Sequence, residues 1–157
     1  MSHNSLVLYG GAFTFAAVAM VFYLFQKGKL PLTLAKMAGR GFFYPTLPFS
    51  IAYYYWRGPW WSPVDPHVYL GALPIAFLGH VQKMKKMGIE AVINLCDEYN
   101  GPISEYEKFG IEQLRIPVID HTEPSTTEIK KCIDFIEKRI KENKKVLCHC
   151  KAGHGRR

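Results

Sequence analysis

The sequence predicts an α/β fold, a central sheet flanked by helices and preceded by an N-terminal transmembrane helix. Three observations lead there. From Pro63 onward, short apolar runs alternate with segments of helical spacing, as strand–helix–strand units do. The last such unit has the length of a crossover between parallel strands, which is nearly always right-handed. At the other end, Leu6 to Phe25 carries no charged residue over about the length a helix needs to cross a bilayer.

The first third sets the expected location. Lys27 and Lys29 follow the apolar run, and no Asp or Glu occurs before Asp65. Positive charge on that side would keep the following domain on the cytosolic or matrix face. A signal peptide cut after Ala17-Val18-Ala19 lacks a basic start, and a presequence should be more amphipathic and Arg-rich, so an uncleaved anchor is expected over residues 1–29. Residues 30–62 contain the aromatic run Lys36 to Trp61, interrupted by Pro45 and Pro48 and holding Arg40 and Arg57. Tyr and Trp at this density favour the headgroup region, with a second short span or an aromatic lid over the domain core as alternatives. The net charge of +7, concentrated here, suits an anionic phospholipid and its membrane, and no nucleic-acid partner is expected.

Residues 63–157 form the expected catalytic domain. Asp65 to Pro74 reads as a turn, a short strand and a break, and Ile75 to Met87 has helical spacing that ends at Gly88. Ala91 to Leu95 reads as a buried strand, Ser104 to Phe109 as a short helix and Ile111 to Ile119 as a strand. Ser125-Thr126-Thr127-Glu128 is a capping box for a helix to about Glu142, with Ile129, Ile133, Ile136 and Ile140 as its apolar face. Lys145 to His149 is the last strand. If these strands are parallel, the loops after Leu95, Ile119 and His149 open at one carboxyl edge, where open α/β sheets bind ligands.

The last loop carries the chemistry. Cys150 follows His149, and Arg156 stands six residues on, with Gly153 and Gly155 between them. Glycines allow the backbone to curl so that successive N–H groups face an anion. The amides of Lys151, Ala152, Gly153, His154 and Gly155 would then bind a phosphate, and the planar fork of Arg156 would complete the cradle. Such donors favour the thiolate of Cys150, the form that attacks. Asp120 reaches the same edge and is the expected general acid, with His121 and Glu123 as weaker substitutes and a plain loop aspartate as the alternative. Asp97, Glu98 and Tyr99 face the substrate or form a solvated turn. Cys96, Cys132, Cys148 and Cys150 lack a disulfide-scaffold spacing and point to a reducing compartment. A zinc site from Cys148, His149, Cys150 and His154 is the competing reading, although the tight Cys-x-Cys spacing differs from the usual zinc pairs.

His149-Cys150, five residues and Arg156 resemble the signature of cysteine-dependent tyrosine and dual-specificity phosphatases. Gly41-Phe42-Phe43-Tyr44-Pro45-Thr46-Leu47, Asp65-Pro66, Leu70 to Pro74, Asp97-Glu98-Tyr99 and Gly110 to Arg115 occur in order as well. Together they resemble the mitochondrial PTP-like phosphatidylglycerophosphate phosphatases over Ala38 to Arg156. The resemblance implies a dual-specificity-phosphatase-like sheet and release of a terminal phosphate from phosphatidylglycerophosphate through a phosphocysteine, in phospholipid biosynthesis. It makes Cys150 the nucleophile, Asp120 the acid, Arg156 the phosphate ligand and Asp97-Glu98-Tyr99 the acidic loop. It implies no metal or other cofactor.

The family acts at the matrix face of the mitochondrial inner membrane, with the endoplasmic reticulum facing the cytosol as the alternative for a single anchor. Protein substrates carrying phosphotyrosine, phosphoserine or phosphothreonine give the second functional reading. The family places Ser or Thr after the Arg and then continues into helices, whereas this sequence has Arg157 and stops. Missing C-terminal helices, and with them an inactive membrane-bound fragment, are therefore a third expectation.

Overall fold

The computed structural model describes residues 3–120 and 122–153, with side chains from Gly11 onward. The chain order is α1 (His3–Gln26), α2 (Leu32–Arg57), β1 (Trp61–Pro63), β2 (Val68–Ala72), α3 (His80–Lys86), β3 (Ile89–Cys96), α4 (Ile103–Phe109), β4 (Glu112–Val118), α5 (Thr126–Lys141) and β5 (Lys145–Cys150). The five strands form one sheet in the order β1-β2-β5-β3-β4. Only β1 is antiparallel to its neighbour; β2, β5, β3 and β4 run parallel. This is the expected α/β sheet.

Both faces of the sheet are covered near its centre, which is why β3 is buried almost throughout and reads as a continuous apolar run. On one face Leu147 and Val92 pack with Val81 and Met84 of α3 and Tyr106 of α4. On the other, Ile93, Val146 and Ile116 receive Cys132, Phe135 and Ile136 of α5. A third cluster of Phe43, Leu73 and Ile75, with Leu47, Ile51 and Tyr99 against it, joins α2 to the carboxyl edge of the sheet.

Three local expectations shift. The helix expected over Ile75 to Met87 divides into a 3₁₀ turn at Ala76–Leu78 and α3, because Gly79 takes a left-handed φ of 68° between them. The capping box of α5 is present in full, Ser125 accepting from the Glu128 amide and the Glu128 carboxylate accepting from the Ser125 amide. Its buried stripe is rotated from the expected one: Ile129 and Ile133 are exposed, while Arg139 is buried and ion-pairs with Glu112 of β4 at 2.8 Å. That pair turns the Cys132–Phe135–Ile136 face toward the sheet. Finally, Pro45 and Pro48 do not end a segment; both lie inside α2.

The N-terminal transmembrane helix is overturned. Among the described residues no helix is long and apolar enough to cross a membrane. The last turns of α1 are spent on protein packing: Phe25 is buried, and Phe22 and Phe25 lie against Phe42 of α2, with ring centroids 4.9 and 6.2 Å away. The second span considered for α2 falls with it. The inner-membrane location facing the matrix, and its endoplasmic-reticulum alternative, rested on that anchor and are withdrawn.

Candidate active site

Four parallel strands end along one edge, at Ala72, Cys96, Val118 and Cys150. Cys150 closes the central strand, paired with Ala72 on one side and one position beyond the Asn94–His149 pair on the other. Its side chain is buried in the cluster that holds Leu95 and Val118. Asp120 lies just past β4, and β3 intervenes, so its loop leaves the same edge two strand spacings from Cys150, roughly 10 Å. Asp120 is half-buried beside Phe25, Leu32, Ala35 and Thr122, around a cavity of about 70 Å³.

The loop after Cys150 is pressed onto β2. Gly153 has φ +65°, and a Cβ there would stand 2.6 Å from the Gly71 carbonyl carbon and 2.9 Å from the Ala72 nitrogen. Gly71 is equally committed, since its own Cβ would meet the Trp60 oxygen at 2.2 Å. The Leu73 amide donates to the Lys151 carbonyl at 3.3 Å. Below it, Trp60 and Trp61 donate their indole N–H groups to the carbonyls of Leu73 and Ala72, each at 2.9 Å. His80 packs against both indoles and accepts from the Ile75 amide through Nδ1. Burial, and then the charge of Lys83, lower its pKa to about 4, so the ring is neutral at physiological pH.

Helix α2 lies across this edge and touches the loops that leave it. Pro45 and Pro48 supply no helical donor to the carbonyls four residues back, Gly41 and Tyr44, and the turn between them is engaged by side chains. Thr46 donates its hydroxyl to the Phe42 carbonyl. Lys151 donates its ammonium to the Phe43 carbonyl at 2.9 Å and to the Thr46 hydroxyl, and lies 4.8 Å from the centre of the Phe43 ring. Tyr54 donates to the Ala152 carbonyl at 2.7 Å. Thus the Lys151 side chain is turned toward α2, and Ala152 and Gly153 are packed beneath it.

The acidic loop is held by the same helix. Asp97 accepts from Arg40 Nε at 3.1 Å and pairs with Lys36 Nζ at 3.5 Å, while Arg115 donates to the Asp97 carbonyl at 2.9 Å. Tyr99 stacks on Phe43, donates to the Pro74 carbonyl at 2.7 Å, and has its pKa pushed up by burial. Glu98 is half-buried beside them. Asn94, fully buried, braces the loop by donating to the Tyr99 carbonyl and accepting from the Cys96 amide.

His149 is buried beside Cys150, its Nδ1 3.3 Å from the Cys150 carbonyl. His121, His154, Gly155 and Arg156 lie outside the described residues. Among the described residues no three His, Cys, Asp or Glu side chains are placed to share a metal ion; the competing zinc set included His154.

Sequence reasoning missed Lys36, Arg40, Thr46 and Tyr54. The first two sit four residues apart, a helical-face spacing, but a segment read as proline-broken offers no face to project. Nothing local points Thr46 and Tyr54 to the Cys150 loop, because their partners there, Lys151 and Ala152, lie more than 90 residues away in sequence.

The family described as "Dual specificity phosphatase, catalytic domain" matches residues 68–157. The chain is 34% identical over 137 residues to the phosphatidylglycerophosphate phosphatase PTPMT2 of Arabidopsis thaliana, covering 84% of this chain and 59% of the relative. It is 32% identical to the human phosphatidylglycerophosphatase and protein-tyrosine phosphatase 1, covering 74% and 63%. It therefore spans less than two thirds of the length of these relatives. Among solved structures, Tk-PTP in the active form superposes with a TM-score of 0.57 at 33% identity, covering 62% of this chain and 66% of that one. PTPMT1 does so with a TM-score of 0.54 at 31% identity, covering 60% and 63%.

Proposed function

Because the chain belongs to the dual specificity phosphatase catalytic-domain family, we propose that it is a cysteine-based phosphatase that hydrolyses a phosphate monoester through a phosphocysteine intermediate. The observation that carries this reading is Cys150, buried at the carboxyl end of the central parallel strand, where a glycine-bearing loop begins. The Cys150 thiolate attacks phosphorus, and the bond from phosphorus to the leaving oxygen breaks. Asp120 gives that oxygen its proton. Water, its proton taken by the Asp120 carboxylate, then attacks the phosphocysteine and returns the thiolate and inorganic phosphate. In this reading the loop amides and Arg156 hold the equatorial oxygens throughout.

The substrate that fits best is a lipid phosphate monoester, phosphatidylglycerophosphate first, giving phosphatidylglycerol. Support comes from the plant, human, mouse and rat relatives, all of which bear a phosphatidylglycerophosphatase name. The mammalian names add a protein-tyrosine phosphatase, which favours a phosphoprotein as the second reading.

Phosphate release from mixed micelles of phosphatidylglycerophosphate, set beside release from phosphotyrosine and phosphothreonine peptides, separates the two. A kcat/KM at least ~10-fold higher on the lipid is expected. A preference for peptide would establish the second reading, and release from neither would remove both.

A further inference from the structure

The Lys151 side chain stands in the signature loop, where a cation invites the role of phosphate ligand, yet its ammonium is engaged elsewhere. We propose that Lys151 is a positioning residue, and that α2 is a strut which sets the height and tilt of the Cys150 loop through two contacts. One is the Lys151 ammonium seated on the α2 turn at Phe43 and Thr46. The other is the Tyr54 hydroxyl on the Ala152 carbonyl. This rests on the phosphatase reading for its chemistry but not for its geometry.

Three features support the strut. The ammonium has three oxygen acceptors on α2, the Phe42 and Phe43 carbonyls and the Thr46 hydroxyl, and the ring of Phe43 beneath it, which accounts for the side chain's direction without any anion. The two contacts lie on α2 about two turns apart, so they fix an orientation as well as a distance. Gly153 is wedged between β2 and α2, since a Cβ there would meet the Gly71 carbonyl carbon at 2.6 Å and the Tyr54 hydroxyl at 2.8 Å. A loop held from both sides has one position. The same helix ties down the acidic loop through Lys36 and Arg40 on Asp97, so the strut keeps the two loops in a fixed relation.

The test uses the full chain and the variants Lys151→Met, Thr46→Val, Tyr54→Phe and Lys151→Arg, each first checked for an unchanged melting transition. Misplacing a reacting group lowers turnover without weakening binding, so Lys151→Met and Thr46→Val should each reduce kcat on a small aryl phosphate by ~10-fold or more, with KM within about twofold. The double variant should be no worse than the poorer single one, because both remove the same contact. Tyr54→Phe should reduce kcat in the same way, and Lys151→Arg should recover most of the loss. A Lys151→Met variant that keeps kcat but raises KM, beside a Thr46→Val variant with no effect, would overturn the strut and make Lys151 a phosphate ligand.

If the unsubstituted chain releases no phosphate, the phosphatase reading fails on its own. The strut is then judged by the rate at which iodoacetamide alkylates Cys150, followed by mass spectrometry. A rate changed at least threefold in both Lys151→Met and Thr46→Val supports it, and an unchanged rate in both removes it.

Discussion

Helices α2 and α5 are ordered by opposite means. α5 is coded locally, with a full capping box at Ser125 and Glu128, basic residues in its last turn and an apolar stripe. α2 has no side-chain cap at its start and two internal prolines, and it is completed by groups from distant parts of the chain, Lys151 above all. α5 supports the sheet from its face, whereas α2 touches the loops where the chemistry is proposed. In this chain, clarity of local code and nearness to the site run in opposite directions.

That contrast is breakable. The largest effect belongs to the residue that neither helix contains: Cys150→Ser should lower turnover by at least ~10⁴-fold with the melting temperature unchanged. Residual release above ~1% of the parent rate would place the nucleophile elsewhere. Next comes the docking of α2. Phe43 is buried between Leu73, Ile75 and Tyr99, so Phe43→Ala should lower stability by roughly 3–5 kcal/mol in a denaturant titration, and turnover should fall with it. Stability lost with turnover intact under native conditions would show that the site does not depend on α2.

Asp120→Asn should slow release from alkyl phosphates by ~10²-fold and from aryl phosphates with good leaving groups much less. Equal losses on both would deny it the role of acid. A smaller effect is tied to pH. The unfolded chain takes up a proton at His80 near the ordinary 6.5, and the folded chain resists until about 4, so stability is fully present above 6.5 and declines as pH falls toward 4. Replacing His80 by Gln should flatten the melting temperature across that window. The smallest expected effect is on α5: Ser125→Ala should cost about 1 kcal/mol and leave kcat and KM as they were. A loss of turnover there would bring the two helices onto the same footing.

The same contrast explains what could be read from the sequence. β3, β4, β5 and α5 announce themselves, because apolar periodicity and a capping box are short-range patterns, and the convergence of their loops follows from parallel topology. Cys150 was legible for the same reason, standing between an apolar strand and two glycines. α2 was not. Pro45 and Pro48 argue against a continuous helix on any local rule, whereas the contacts that hold α2 on the sheet edge, Phe43 on Leu73, Ile75 and Tyr99 and the Lys151 ammonium on its backbone, are visible in three dimensions alone. The apolar start of the chain misled in the opposite sense. Phe22 and Phe25, part of the run that predicts a membrane anchor, lie against Phe42.

The seat of Lys151 on α2 also fixes an order of events during synthesis. The ammonium and the Phe43 carbonyl are separated by 108 positions, and Tyr54 and Ala152 by 98. Nearly the whole described chain must therefore leave the ribosome before either contact can form, and α2 must wait beside a half-built sheet for the lysine that completes it. Closing so long a loop is among the slower steps open to a small domain. Cys150 is thus placed only when β5 fills the centre of the sheet between β2 and β3, in the same event that seats Lys151 on α2.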